Sequence, residues 1–435
     1  MRRLDNKKFV AVSFMLFSMF FGAGNFIFPP MLGKESGTIF YETIIFFCLT
    51  AVVFPILGIV SIAKNGSINA LTEKVDRYFG PIFIILIYLA IGPFLAIPRA
   101  STLPFEISSV GFKENKTVAL FFWSIIFFTI NYFMAVNKSK LVEIIGKILT
   151  PILLVLIIIL VLGVFFLNNT SFPNPTGKYA IAPYSTAFLQ GYNTMDAMGC
   201  VVAIVVINAL RKMGITGERR LAVTTIRAGI FSGIILSTIY ILLAYLGAAT
   251  ANIIGVTTNG AELLSKTALF LFGQKGQILL FSAIFLACLT TTVGLTTSGS
   301  EYFNGLVPKI NYKTWCLIFC IVSFFMANIG LNEILRYGIP ILTAFYPVVL
   351  VLIVLGLLDN FFDSSRLVYR SCIYVALITG LFCSLGTING LLSDSFIEIL
   401  KIIMPFYNYG LGWIFWVVVT FCITFIIHIV AVNKK

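Results

Sequence analysis

Residues 20–30, FFGAGNFIFPP, decide the fold of this chain. The segment around them is apolar enough to cross a bilayer, yet Gly22, Gly24 and Asn25 lie in its middle. A membrane offers no water to backbone groups that leave a helix, so irregular backbone at that depth occurs only where it lines a cavity or binds a ligand. The sequence therefore predicts a binding site inside the first hydrophobic span.

The composition is that of a polytopic membrane protein. Hydrophobic residues make up 59% of the 435 residues and charged residues 11%, against roughly 45–50% and about 25% in a soluble domain. The eight cysteines all fall in apolar runs and are interpreted as core residues. The net charge of +13 reflects basic loops beside the membrane and does not indicate nucleic-acid binding.

Apolar runs of about 20 residues, long enough for a hydrocarbon core of about 30 Å, predict twelve transmembrane helices in a single domain, residues 1–435. The runs lie at approximately 9–30, 40–63, 81–103, 118–137, 145–168, 186–210, 222–250, 277–303, 315–332, 337–358, 369–389 and 409–431. The termini and the even-numbered loops carry most of the 30 Lys and Arg residues, which predicts cytoplasmic termini. The longest outer connection, 251–276, is expected to hold a short surface helix.

A second interrupted span lies five helices after the first. Span six contains polar and glycine residues throughout 190–199. Interrupted helices at corresponding positions of two halves indicate an inverted-repeat transporter with its site between the interruptions. We therefore predict repeats at about 9–168 and 186–358, followed by two additional helices at about 369–431. The alternative is that both interruptions are glycine packing faces with a polar kink.

Span eight carries many hydroxyl side chains between Thr290 and Ser298. Ser and Thr in helices commonly bond back to their own backbone, and we assign that role to residues 296–298. Thr290 and Thr291, together with carbonyl groups of the interrupted first helix, would supply the oxygen ligands that small hard cations prefer. A monovalent ion at this place needs no carboxylate.

Residues 20–30 resemble the signature of the bacterial BrnQ-type branched-chain amino acid:cation symporters, and the likeness extends through 92–99, 191–196 and 301–302. That family belongs to the amino acid, polyamine and organocation superfamily, whose members share the LeuT-type architecture. The resemblance implies an all-α fold with a five-plus-five inverted repeat and broken helices 1 and 6. It also implies a secondary transporter that imports leucine, isoleucine and valine together with a cation, sodium being favoured over a proton.

The resemblance further implies roles for individual residues. Amide groups at the first break would hold the substrate carboxylate, and carbonyls of that break would join an Ala-x-x-Thr-Thr pattern on span eight to bind sodium. The expected substrate-binding residues are Phe20, Gly22, Ala23, Gly24, Asn25, Gly191, Tyr192, Asn193 and Leu295. The expected sodium ligands are Ser18, Phe21, Ala287, Thr290 and Thr291. Candidates for the apolar wall are Phe20, Phe26, Tyr192 and Leu295.

Two charged residues have alternative roles in coupling or gating. Asp196 is the only carboxylate well inside a predicted span, so it is either a functional group or a cap on the half-helix that begins near Thr194. Arg99, near the outer end of span three, either snorkels to the interface or forms an outer gate with Glu106 or Glu333.

The main alternative function is a related amino acid permease with other substrates or with proton coupling. An intramembrane enzyme would need a histidine or paired carboxylates at mid-membrane, which the predicted spans do not offer. We expect no enzyme activity, no cofactor apart from the co-transported sodium ion, no nucleic-acid partner and no obligate protein partner. The expected location is the bacterial cytoplasmic membrane, where the protein contacts the lipid bilayer and its amino acid substrate.

Overall fold

The computed structural model describes residues 6–108, 115–137, 142–165, 171–215, 217–388 and 391–432. All regular elements within these residues are helical. The α-helices are α1 Asn6–Phe20, α2 Ala23–Ser36, α3 Phe40–Cys48, α4 Phe54–Lys64, α5 Ile68–Glu73, α6 Phe79–Leu89, α7 Ala96–Ser108, α8 Lys116–Val136, α9 Thr150–Phe165, α10 Lys178–Ile181, α11 Pro183–Tyr192, α12 Ala203–Lys212, α13 Glu218–Ile254, α14 Gly260–Leu306, α15 Tyr312–Ala327, α16 Leu331–Leu358, α17 Arg366–Leu385, α18 Asp394–Ile403 and α19 Gly412–Val432.

Nine helical segments in the described residues are long and apolar enough to cross a membrane, and they overlap predicted spans two to five, seven, eight and ten to twelve. The segment that contains span two begins with α2, at Ala23. The protein is therefore an all-α, multi-pass membrane protein. Predicted spans one, six and nine consist of shorter helices: α1 and α2 have 15 and 14 residues, α11 and α12 have 10 each, and α15 has 16. The number twelve stays a prediction.

The first predicted span is divided where its sequence changes. Phe21 and Gly22 lie outside both α1 and α2, and Gly22 has an extended backbone with φ −120° and ψ −156°. The Asn25 side chain accepts a hydrogen bond from the Gly22 amide at 2.9 Å and thereby satisfies one donor at the start of α2. The first-turn amides of α2 thus point towards the gap between the two helices.

Helix α2 packs against α13 through backbone atoms. A Cβ atom added at Gly33 would lie 1.8 Å from the carbonyl oxygen of Ala244, and one at Gly247 would lie 1.9 Å from the carbonyl oxygen of Pro30. Neither position has room for a side chain, because the obstructing atom is backbone. Small residues allow this close approach between membrane helices, and here they fix the position of α2.

The connection 251–276 contains the expected helix, but that helix does not lie free on the surface. Helix α14 begins at Gly260 and has non-helical backbone at Gly273, where φ is 61° and ψ is −147°. Before this kink, Leu263 and Leu264 are fully buried. A Cβ atom at Gly260 would lie 1.9 Å from the carbonyl oxygen of Ile27. The first part of α14 therefore covers the side of α2 beyond the break.

Candidate functional site

A buried polar network joins the first helix break to two distant parts of the chain. Asn25 Nδ2 donates to Asp196 Oδ2 at 2.8 Å, and the Tyr240 hydroxyl donates to the same oxygen at 2.9 Å. Asn25 Nδ2 also contacts the Tyr240 hydroxyl. Asn25, Asp196 and Tyr240 are at most 3% exposed. Because buried polar groups are costly without partners, these bonds hold α2, α13 and the segment after α11 in one arrangement.

The sixth predicted span changes conformation next to this network. Helix α11 ends at Tyr192, a 3₁₀ turn covers Met198–Val202, and α12 begins at Ala203. Met195 has a φ of 68°, the left-handed region that non-glycine residues rarely adopt. This irregular backbone presents the carbonyl groups that precede Asp196 to neighbouring helices. The hydrogen bonds of the Asp196 carboxylate go to Asn25 on α2 and to Tyr240 on α13. A role of Asp196 as a helix cap and a role in coupling both stay predictions.

The five predicted cation ligands lie together. Thr291 Oγ1 is 2.9 Å from the Ser18 carbonyl oxygen and 3.0 Å from the Phe21 carbonyl oxygen. Thr290 Oγ1 is 3.0 Å from the Ala287 carbonyl oxygen and 3.4 Å from that of Ser18. All five residues are at most 8% exposed. The cluster consists of neutral oxygen atoms, a donor set suited to a hard monovalent cation.

Sequence reasoning missed two residues at the site. Tyr240 on α13 bonds to Asp196, and Thr150 on α9 places its hydroxyl 2.9 Å from the Ser18 hydroxyl. Tyr240 lies in an apolar run with no interruption nearby, and Thr150 directly precedes Pro151 in span five. The only sequence feature that could have pointed to them is a polar hydroxyl group inside a predicted span. Such a group usually has a hydrogen-bond partner when it is buried.

A small cavity of about 30 Å³ lies between the first break, the irregular part of span six, α7 and α14. Of the predicted site residues, it is lined by Phe20, Gly22, Ala23, Asn25, Asp196, Arg99, Thr291 and Leu295. Gly24, Phe26, Gly191, Tyr192 and Asn193 do not line it. Ligand pockets usually measure about 300–1,000 Å³. A ligand of amino-acid size would therefore fit here only if these helices separated.

A larger cavity of about 740 Å³ lies beyond Tyr192 and Asn193, which line it together with Glu35 and Lys178. The Tyr192 ring stacks on the Tyr346 ring with centroids 4.3 Å apart. Tyr192 and Asn193 line the large cavity, whereas Thr194 and Asp196 line the small one. Predicted substrate-binding residues of span six thus form part of a partition between two cavities.

The structure corrects the first predicted alternative for Arg99, snorkelling to the interface. The residue is 3% exposed and therefore does not snorkel to the interface. Among the described residues, the ion pairs of its two predicted partners join Glu106 to Lys116 at 2.7 Å and Glu333 to Arg336 at 3.7 Å. Arg99 lies deeper in the protein than predicted because the helix of span three is broken.

Backbone at Gly92 is non-helical, with φ −91° and ψ −116°, and α7 begins only at Ala96. Arg99 consequently lies in the first turn of α7, inside the protein, rather than near the end of one straight helix. Its Nη1 donates to the Asn193 carbonyl oxygen at 2.7 Å. A gating role for Arg99 stays a prediction.

Comparison with known proteins now identifies the family. The family model for the branched-chain amino acid transport protein matches residues 5–431. The chain belongs to this family. The branched-chain amino acid permease BraB of Bacillus subtilis is 41% identical over 417 residues, covering 94% of this chain and 93% of BraB. The branched-chain amino acid transport system 2 carrier protein of Pseudomonas aeruginosa is 36% identical over 418 residues, covering 95% and 94% of the two chains. The family resemblance seen in residues 20–30 is confirmed.

A solved structure supports the architecture of this family member. Mhp1, a nucleobase-cation-symport-1 family transporter solved in a closed conformation with bromovinylhydantoin bound, superposes with a TM-score of 0.62. The match covers 98% of this chain and 92% of Mhp1 at 13% sequence identity. At that identity the likeness is one of fold alone. It confirms a LeuT-like transporter fold in outline.

Proposed function

We propose that this chain is a secondary active transporter that imports leucine, isoleucine and valine by symport with sodium. One observation carries the proposal. Thr291 bonds to the carbonyl groups of Ser18 and Phe21 in the candidate cation cluster, and the same side chain lines the small cavity beside Gly22. A cation and a substrate would therefore contact the same helix break, and binding of one would stabilise the geometry that the other needs.

The proposed architecture accounts for the divided helices. The pairs α1–α2 and α11–α12 are the broken helices 1 and 6 of a five-plus-five inverted repeat, with repeats at about 9–168 and 186–358. Two further helices at about 369–431 complete twelve spans in one domain. Half-helix ends near the membrane centre bind ions and substrates in such folds, because their amides and carbonyls have no partners within the helix.

The chemistry of the small cavity suits an amino acid zwitterion. The start of α2 offers partial positive charge from the Ala23 and Gly24 amides, which favours a carboxylate. The ammonium group would bind carbonyl oxygens of the irregular backbone. Phe20 and Leu295 supply an apolar wall for an aliphatic side chain. Because an apolar pocket separates neighbouring aliphatic groups by only about 1–3 kcal/mol per methylene, one carrier would accept all three substrates.

The proposed setting is the cytoplasmic membrane, with both termini in the cytoplasm. The protein would need no cofactor besides the co-transported sodium ion, no nucleic acid and no obligate protein partner, and we propose no enzymatic activity. The second candidate function is proton-coupled transport by a related permease. It is favoured by the carboxyl group of Asp196, which is 3% exposed and lines the small cavity.

Uptake of radiolabelled leucine into proteoliposomes tests the proposal. An inward sodium gradient should drive accumulation, whereas a proton gradient of equal size should give no more than the gradient-free control. Accumulation driven by protons alone would favour the second candidate. Absence of leucine uptake under every gradient would exclude leucine transport by either mechanism and would favour a related amino acid permease with other substrates.

The Asp196→Asn variant should keep the pH profile of sodium-driven leucine uptake. Asparagine retains an acceptor oxygen for Asn25 and Tyr240, so the network survives with weaker bonds. We expect stability to fall by about 1–2 kcal/mol, since a charge-assisted hydrogen bond contributes more than a neutral one. If Asp196 instead carries a proton during transport, the neutral amide cannot titrate. Proton-driven uptake would then vanish in the variant while leucine exchange between equal pools continued.

A further inference from the structure

Arg99 is a buried cation whose hydrogen bonds in the structure go to backbone carbonyl groups. Its Nη1 is 2.7 Å from the Asn193 carbonyl oxygen, and its Nη2 is 3.5 Å from that of Thr194. Its Nε has no hydrogen-bond partner among the residues that the structure describes. None of the ion pairs in the described part of the chain includes Arg99. The buried Asp196 carboxylate lines the same cavity and lies close enough to balance this charge, but it does not hydrogen-bond to the guanidinium. The free Nε is therefore a buried donor that a ligand anion would satisfy.

The guanidinium lies beside the start of α2. Arg99 lines the small cavity together with Gly22, Ala23 and Asp196. A Cβ atom at Gly24 would lie only 2.7 Å from Arg99 Nη2. An anion in this cavity would therefore be within reach of both the arginine and the first-turn amides of α2.

The backbone amides at the start of α2 offer fewer free hydrogen-bond donors for a carboxylate than the sequence suggests. The Gly22 amide already donates to Asn25 Oδ1 at 2.9 Å. Guanidinium groups present two parallel N–H donors that match the two oxygens of a carboxylate. We propose that Arg99 binds the α-carboxylate of the amino acid substrate, together with the remaining amides of the first turn of α2. This inference rests on the proposed function.

The assignment predicts which ligands the site accepts. Arg99 and the Asp196 carboxylate line the same cavity, so its two charges have the signs that a zwitterion requires. A ligand that keeps the leucine side chain and ammonium but carries a neutral carboxamide leaves Arg99 without its anion. Removal of one partner from a buried charge pair commonly weakens binding by about 30-fold or more.

Binding of leucine and of leucinamide to the purified full-length protein at saturating sodium tests this assignment. The unmodified protein should prefer leucine by about 30-fold or more. In Arg99→Gln, leucine affinity should fall by a similar factor while leucinamide affinity changes by less than about threefold, so the preference disappears. Arg99→Lys keeps the positive charge but not the two parallel N–H donors, and it should show an intermediate preference for leucine over leucinamide.

Arg336→Gln is the matched control, because Arg336 has a side chain that is 76% exposed. It should leave both affinities unchanged. Equal weakening of leucine and leucinamide in Arg99→Gln, with the preference intact, would overturn the assignment and show a structural or gating role. Should Arg99→Gln fail to fold, an unaltered preference in Arg99→Lys would overturn it as well. An unmodified protein that binds no leucine would instead overturn the proposed function itself, and this assignment with it.

Discussion

Leucine uptake should fall to background in a Gly24→Val variant. A Cβ atom at position 24 would lie 2.7 Å from Arg99 Nη2, and 3.1 Å from both the Asn193 carbonyl oxygen and Thr194 Cα. The arginine can move, but the backbone of span six cannot yield without displacing the polar network. The two further methyl groups of valine would therefore fill the space where a carboxylate would approach α2.

The measurement is radiolabelled leucine uptake and binding with protein that is monodisperse in detergent. Gly305→Val is the matched control, since a Cβ atom there would have no neighbour within 4 Å in the described part of the chain. This variant should transport normally. Gly24→Ala should show a partial loss because it adds only the Cβ atom. Near-normal uptake by Gly24→Val would show that the substrate does not bind at the first helix break.

The sodium concentration for half-maximal leucine uptake should rise by about tenfold in Thr291→Ala. The Thr291 hydroxyl lies 2.9 and 3.0 Å from two carbonyl oxygens of the candidate cation cluster, those of Ser18 and Phe21. Loss of one oxygen ligand is worth on the order of 1–3 kcal/mol in a buried polar site. Leucine affinity at saturating sodium should change much less. Thr290→Ala should have a smaller effect, because its hydroxyl is 3.4 Å from the Ser18 carbonyl oxygen.

Two further variants distinguish the loss of an ion ligand from the loss of a hydroxyl group in general. Thr291→Ser retains the ligand oxygen and should restore the original sodium dependence. Thr292→Ala removes a hydroxyl that bonds at 3.0 Å to the Leu289 carbonyl of its own helix, and it should leave sodium dependence unaltered. The same sodium dependence in all of these variants would place the cation elsewhere or favour proton coupling.

The sequence predicted those parts of the site that have a local pattern. Glycine and asparagine inside an apolar run predicted irregular backbone at the first break, and Gly22 lies between two helices. The run of hydroxyl groups on span eight predicted oxygen ligands at Thr290 and Thr291, and in the structure these hydroxyls lie near the carbonyl groups of Ser18 and Phe21. Their role in cation binding stays a prediction. In both cases the signal is contained within a few residues of one helix.

Contacts between distant residues were not predictable in this way. The Tyr240 and Asp196 partners are 44 residues apart, and Thr150 is 132 residues from Ser18. Hydropathy shows that such residues are in spans but not which helices become neighbours. Arg99 was misplaced for a related reason: a hydropathy profile treats span three as straight, whereas its backbone is non-helical at Gly92.

Mutagenesis of α13 will report on the start of α2 even at positions that no ligand touches. At Gly247 an added methyl group would collide with the carbonyl oxygen of Pro30, only 1.9 Å away. Backbone atoms have no rotamers to adjust, so α2 would have to move as a unit. Gly24 lies six residues before Pro30, about 9 Å along the helix, and its amide would move with it. Loss of transport in a Gly247→Ala variant would therefore measure a shifted helix, and α13 should not be counted as a substrate-binding element on that basis.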